Sequence, residues 1–308
     1  MTSANVLVAG SGNVTGMNVL KALTGNVDNL VGYDCCPTNQ NPANLLCLNQ
    51  TVPKASEPGY IEAVLSLVDQ HRSKMIIASN DHEVRALATH KHEFESRGVS
   101  VNAMTPMTLS FLDKLETSQL FDAMSIPTPD VIDPSREYLT PPYVVRKRLV
   151  GTGKKFSFIV KHDGKAQTFF GDTSVVTRFV EGDEYTIDIL ADHGNPIAVV
   201  PRLRREVRNG MVHFGEIVKD EEVIRSSERI CKSLGFDGMY CIQCIKNVDG
   251  CFFFEVNPRP GSGLDLSVAA GINMPALWVD IQLGLNVPRQ EPVWGMKMVR
   301  YYSGYYFQ

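Results

Sequence analysis

Apolar residues in this chain fall into short runs separated by segments of helical spacing, and that rhythm predicts its elements. Residues Asn5-Val6-Leu7-Val8-Ala9 form a buried strand, "GSGNVTG" comes next, and "MNVLKALTG" has the spacing and closing Gly25 of a helix. "NLVGYD" is a second strand ending in Asp34, and a Pro/Asn-rich loop runs on to about residue 58. Residues 59–72 are helical, "KMIIASND" is a third strand with a polar end, "EVRALATHKHEFESRG" is an amphipathic helix, and "VSVNAM" is a short fourth strand. Strands that alternate with helices imply a doubly wound parallel sheet, an α/β Rossmann-like domain over residues 1–105.

The period then changes. Thr105 and Pro106 open a helix carrying Lys114, and Pro127, Pro129, Pro134, Pro141 and Pro142 punctuate the segment after it. A β-rich middle includes "YVVRKRLV", a hairpin in "FIVKHDGKAQTFF" turning at Asp163-Gly164, and "SVVTRFVEG". A second hairpin, "EYTIDILADHGNPIAVVPRLRREV", turns at His193-Gly194-Asn195. A helix over 220–234 precedes a third hairpin, "MYCIQCIKNVDGCFFFEVNPR", turning at Asp249-Gly250; a helix from about 264 and the strand "MKMVRYY" close the chain. The second part is therefore α+β with antiparallel sheets, divided into a covering subdomain with its linker helix (106–180) and a C-terminal subdomain (181–308).

Composition narrows the function. The 308 residues are 44% hydrophobic with a net charge of −4, and the pI is about 6.0, so no nucleic-acid or anionic-membrane surface is expected. No run approaches the roughly 20 apolar residues of a membrane helix, and "MTSANVLVAG" lacks the marks of a signal peptide. The seven scattered cysteines suit reduced thiols in the cytoplasm rather than a disulfide framework.

The candidate chemistry sits in "GCFFFEVNPRPGSG". Side chains alternate along a strand, so Glu255 and Asn257 share a face, and the hairpin can bring Gln243 opposite them. One carboxylate and two amide oxygens suit a hard cation such as Mg²⁺, and Arg259 could meet a phosphate or carboxylate as a fork. The bland alternative, equally supported by this stretch alone, is the wet end of a strand.

Taken together, these stretches resemble the ATP-grasp superfamily, and within it the stand-alone ligases similar to the carbamoyl phosphate synthase large chain. "FFFEVNPRPGSG", "GMYCIQCIKNVDG", "RFVEGDEYTIDIL", "FLDKLETSQLFDAMSIPTPDV" and "YVVRKRLVGTGKK" match segments of that family in its order. The resemblance implies a pre-ATP-grasp first domain and the cofactors ATP and Mg²⁺, with Mn²⁺ as a substitute. It implies metal coordination by Gln243, Glu255 and Asn257. Phosphate contacts fall to Lys114, to Arg146 or its neighbour Lys147, and to the loop of Gly151 and Gly153. Arg259 would hold the transferred phosphoryl or acyl phosphate, with Arg202 or Arg204 as a further anion contact. Glu184 would bind the ribose, and Phe179 and Val180 the adenine. Where the family usually has Lys this chain has Arg146, and Thr177-Arg178 stands where its hinge usually begins with Gln or Glu.

The implied activity is ligation: a carboxylate is activated as an acyl phosphate and joined to an amine, with ADP and phosphate released. The partners are small-molecule substrates, and a homodimer is common among look-alikes. Two alternatives stand beside it. One is a non-catalytic ATP-binding protein of this fold. The other is an NAD-dependent oxidoreductase using Gly10, Gly12 and Gly16 with Asp34, although the third glycine falls one residue late for that fingerprint. Cys241-x-x-Cys244 is assigned to core packing, and Asn80 or Asp81 to either a substrate-side role or helix capping.

Overall fold

The computed structural model describes residues 4–133, 139–149, 157–161, 173–208, 210–301, 303–304 and 306. Its first sheet contains β1 (Asn5–Ala9), β2 (Asn29–Asp34), β3 (Leu48–Thr51), β4 (Met75–Ala78) and β5 (Ser100–Val101), in the order β3-β2-β1-β4-β5. All of its pairings are parallel, and α1 (Val14–Leu23), α2 (Tyr60–His71), α3 (Asp81–Thr89) and α4 (Lys91–Glu95) connect the strands. The doubly wound sheet is as expected. Strand β3 is an addition: it lies within the stretch read as loop, because an edge strand with Leu48 exposed and Asn49 and Gln50 at its centre has no apolar run to mark it.

The single helix expected around Lys114 is two, α5 (Thr108–Phe111) and α6 (Lys114–Ala123). Asp113 separates them: its Oδ1 accepts from the N–H groups of Leu115 (2.9 Å) and Glu116 (3.3 Å), so Lys114 becomes the first residue of a freshly capped helix. Next comes a four-stranded antiparallel sheet, with β6 (Val131–Ile132), β7 (Tyr143–Lys147), β8 (Ser157–Val160) and β9 (Ser174–Arg178) in the order β6-β9-β7-β8. The turn expected at Asp163-Gly164 lies outside the described residues.

The third sheet is antiparallel. It orders β10 (Asp183–Asp192), β11 (Asn195–Arg208), β12 (Met211–Ile217), β13 (Gly238–Asn247), β14 (Gly250–Asn257) and β15 (Lys297–Val299) as β14-β13-β10-β11-β12-β15. Helices α7 (Glu221–Ser233), α8 (Leu264–Ala269) and α9 (Met274–Gln282) pack on it. The β10–β11 turn is two residues long, His193 and Gly194, both at positive φ (46° and 81°), as a primed hairpin turn requires. The β13–β14 turn uses Val248 and Asp249, one residue earlier than expected.

One face of the six-stranded sheet packs on α5, α6 and α7 through Phe121, Ile187, Ile230, Tyr240 and Phe253. The opposite face shares a single core with the first domain: Val200, Ile217 and Met239 meet Val8, Leu20, Ile77, Leu264 and Trp278. Buried side chains, rather than a linker, therefore fix how these two units sit together. The four-stranded sheet is built over Ile132, Tyr143, Val145 and Val176. Among the described residues no helix is long and apolar enough to cross a membrane. All seven cysteines are free thiols, and Cys241 and Cys244 are buried.

Candidate active site

The third hairpin gathers its oxygen-bearing side chains as strand alternation predicts. Gln243 and Glu255 are cross-strand partners, and Cys241 pairs with Asn257, so the carboxylate and both amides share one face near the end of β14. The Gln243 amide is oriented by its neighbours: its nitrogen faces Glu255 Oε2, and its oxygen accepts from Arg204 Nη1 at 2.6 Å.

Each of the three candidate ligand oxygens faces a cation of the chain itself. Lys114 Nζ lies 3.3 Å from Glu255 Oε1, Arg204 Nη1 approaches Gln243, and Arg259 Nη2 donates to Asn257 Oδ1 at 3.1 Å. These groups come from α6, β11 and the segment after β14. They are mostly withdrawn from solvent, with the side chains of Lys114 and Glu255 only 20% and 23% exposed. Oxygens and cations therefore balance locally, in a setting where a lone charge would be costly.

Arg146 reaches in from the four-stranded sheet. Its Nη1 donates to the Phe254 carbonyl at 3.0 Å, and its guanidinium carbon lies 5.3 Å from the Phe254 ring centre. Its Nε and Nη2 are buried without a hydrogen-bond partner among the described residues. Burial pushes its pKa down, and the nearby Glu255 charge opposes that. A desolvated guanidinium with two unclaimed donors is a chemical fit for an anion. Lys147, next on β7, projects to the opposite face by strand alternation and is half-buried.

Arg202 is a correction. It is 2% exposed and holds Asp188 with two bonds, Nε to Oδ2 at 2.7 Å and Nη2 to Oδ1 at 2.8 Å; Ser267 Oγ donates to the same carboxylate at 2.6 Å. It lies beneath the site as a structural ion pair. The glycines of "PGSG" serve that pair: a Cβ at Gly263 would overlap Arg202 Nη1, and one at Gly261 would come within 2.7 Å of Cys241 Sγ. Arg204 is the arginine at the oxygen cluster, and it also pairs with Glu184 at 3.1 Å. The candidate ribose acid thus sits beside the candidate metal ligands. Phe179 and Val180 connect β9 to β10, with Phe179 N–H donating to the Pro142 carbonyl at 3.4 Å. Gly151 and Gly153 lie outside the described residues.

Asp81 is the residue that sequence reasoning left undecided. Its Oδ1 accepts from Arg259 Nε at 2.5 Å, while Asn80 does the capping, accepting from the Glu83 N–H at 3.1 Å. Burial opposes the charge on Asp81, but the Arg259 guanidinium, with Lys114 further away, holds its carboxyl below the ordinary range. A polar residue at the carboxyl end of a parallel strand was the only hint in the sequence.

The N-terminal glycine turn is filled from within. Asp34 accepts from the N–H groups of Gly12 (3.0 Å) and Cys36 (2.9 Å), and Asn13 Nδ2 donates to Ser79 Oγ at 2.7 Å. A Cβ at Gly10 would sit within 2.7 Å of the side chains of Ser79, Asn13 and Asn80. Asp34 supports the loop, and the glycine turn is packed by the side chains of Ser79, Asn13 and Asn80, which accounts for Gly10 without a dinucleotide. NADH is expected to show no saturable binding at concentrations up to about 1 mM, a weak limit on the affinity scale; a fluorescence titration checks this, and a micromolar dissociation constant would contradict it.

Comparison with known proteins agrees with this layout. Residues 171–303 match the family model described as "ATP-grasp in the biosynthetic pathway with Ter operon", and residues 10–102 match "PylC-like, N-terminal domain". The carbamoyl phosphate synthase large chain of Clostridium acetobutylicum is 21% identical over 285 residues, covering 83% of this chain and 26% of that protein. Carbamoyl-phosphate synthase of Methanobrevibacter smithii is 24% identical over 183 residues, covering 52% of this chain and 49% of the relative. The chain thus spans half or less of the length of these curated relatives. Among solved structures, N5-carboxyaminoimidazole ribonucleotide synthetase from Thermotoga maritima superposes with a TM-score of 0.71 at 17% identity, over 94% of this chain and 78% of that one. Biotin carboxylase from Campylobacter jejuni gives 0.68 at 14% identity, over 92% and 72%.

Proposed function

We propose, for an ATP-grasp chain with a PylC-like N-terminal domain, that it is an ATP-dependent carboxylate–amine ligase. A substrate carboxylate oxygen attacks the γ-phosphorus of ATP, the bond to the bridging oxygen breaks, and ADP leaves. The amine nitrogen then attacks the acyl carbon, phosphate departs and the nitrogen loses a proton, giving an amide. The single observation that supports this best is the face of Gln243, Glu255 and Asn257, matched one for one by Lys114, Arg204 and Arg259.

Phosphoryl transfer calls on the protein for positioning and charge neutralisation more than for covalent chemistry. Glu255, Asn257 and Gln243 would hold Mg²⁺, which when bound supplies the charge that phosphate oxygens require. Lys114 and Arg146 would meet phosphates, Arg259 the transferred group, Glu184 the ribose, and Phe179 and Val180 the adenine. These assignments rest on the family resemblance, supported by the positions described above.

The paired arrangement also predicts how the ligands enter. Mg²⁺ alone would have to separate Lys114 from Glu255 and Arg259 from Asn257, leaving those cations partnerless. ATP alone would draw the cations away and leave Glu255 beside phosphate. Metal and nucleotide should therefore bind as a unit, each raising the other's affinity about tenfold or more, within the usual range of coupling energies. Calorimetry with Mg²⁺, ATP, and both together measures this, and independent binding would contradict it.

The overall reading is tested by a phosphate-release screen with ATP and Mg²⁺ over amino acids, dipeptides and other carboxylates, each with a panel of amines. Release that requires a particular carboxylate is the expected outcome. Magnesium-dependent ATP binding with no ADP formed from any carboxylate would favour the non-catalytic binder instead. The substrates are expected to be small molecules, met in the cytoplasm.

A further inference from the structure

Arg259 lies just past β14, in the domain that carries the oxygen cluster, and Asp81 opens α3 in the first domain, 178 residues away in sequence. They meet at 2.5 Å, with side chains only 18% and 19% exposed. The guanidinium has five N–H bonds. Nε–H goes to Asp81, one Nη2–H to Asn257 Oδ1 at 3.1 Å, and one Nη1–H to the Pro260 carbonyl at 3.1 Å. Among the described residues two N–H bonds remain, one on each terminal nitrogen, which is the number a carboxylate or phosphoryl group accepts as a bidentate fork. The Pro260 carbonyl and Asn257 come from Arg259's own segment. Asp81 is the tether from the other domain, and the shared core beneath it fixes where that tether stands.

We propose that Asp81 is the positioning residue of Arg259, by which the first domain sets the plane of the guanidinium and so aims its two remaining N–H bonds at the group being transferred. This rests on the ligase reading above. It adds that the phosphoryl site is completed by the first domain rather than being contained within the ATP-grasp domain. Asp81 touches no reacting atom itself. It acts through the arginine, whose charge it also helps to keep in a partly buried place. A misdirected fork would still attract an anion but would meet it out of line, and small misplacements of this kind cost about 100-fold in rate.

The experiment uses the full chain, Mg·ATP and the carboxylate–amine pair found by the phosphate-release screen. Asp81→Asn should lower kcat about 100-fold while the KM for ATP stays within about threefold. In an Arg259→Gln background the same substitution should cost less than about threefold more, because residues acting as a unit are non-additive. A readout without turnover accompanies these: the ¹⁵N-labelled Nε–H resonance of Arg259, assigned by its loss in Arg259→Lys, should be protected from exchange in the wild type and lose that protection in Asp81→Asn. If Asp81→Asn melts below the assay temperature, Asp81→Glu carries the test, since it keeps the charge but displaces the guanidinium; its kcat should still fall about tenfold or more. Wild-type kcat in the folded variant, or an equal loss in both backgrounds, overturns the proposal while leaving the ligase reading intact. A wild type that releases no phosphate with any carboxylate overturns the ligase reading, and this inference with it.

Discussion

Replacing Glu255 by glutamine is expected to lower ADP release on the order of 10³-fold, as loss of a central electrostatic contact does in phosphoryl and acyl transfer. The substitution keeps the side chain's shape and its place opposite Gln243. What it removes is the only carboxylate of the three proposed ligands, and with it the partner of Lys114 at 3.3 Å. The magnesium concentration needed for half-maximal activity should rise in the same variant. The melting temperature should hardly move, because Glu255 is at a partly solvated strand end and the core of β14 lies at Phe253 and Val256. Steady-state assays across magnesium concentrations, with a thermal melt as control, measure all three. Undiminished ADP release would remove the metal assignment and leave the hairpin as an ordinary wet strand end.

Arg202 should behave in the opposite way. Arg202→Met leaves Asp188 1% exposed and, among the described residues, without its ion-pair partner and with Ser267 as its remaining side-chain donor. Breaking a buried pair from one side costs about 3–5 kcal/mol, which for a chain of this size means a fall in Tm of roughly 10 °C. Removing both charges together, as Arg202→Met with Asp188→Leu, should recover much of the loss, since an apolar replacement of a buried pair is often neutral. Differential scanning fluorimetry on the two variants measures this. A variant Arg202→Met that melts like the wild type but has lost ATP turnover would return Arg202 to the anion site, where sequence resemblance had placed it.

The contrast between those two residues marks what the chain made legible. Period-two alternation correctly put Glu255 and Asn257 on one face, and the hairpin connection brought Gln243 opposite. The same alternation puts Arg202 and Arg204 on one face of β11 but says nothing of depth. Arg202 falls mid-sheet above Asp188, whereas Arg204 lies closer to the strand's outer end, beside Glu184 and Gln243. The partner of Arg202 is decided by the register of β10 against β11, and the partner of Arg259 by the packing of two domains. Neither leaves a local trace in the sequence. Strand β3 escaped for another reason: as a polar edge strand it buries too little to generate a pattern. The parallel first sheet and the three hairpin regions rest on strong local periodicity, and two of those hairpins stand in the described structure as expected, with one turn shifted by a residue.

The described cores tie the three sheets together in different ways. The first domain and the six-stranded sheet bury one another, so separating them would expose Val8, Leu20, Val200 and Met239 at once. The four-stranded sheet, among the described residues, rests on Ile132, Tyr143, Val145 and Val176, and sends Arg146 across to Phe254. A nucleotide bound as proposed would meet that sheet through Arg146, a side-chain tie to β14, while Gln243, Glu255, Asn257 and the Asp81–Arg259 bridge stand on elements that share the larger core.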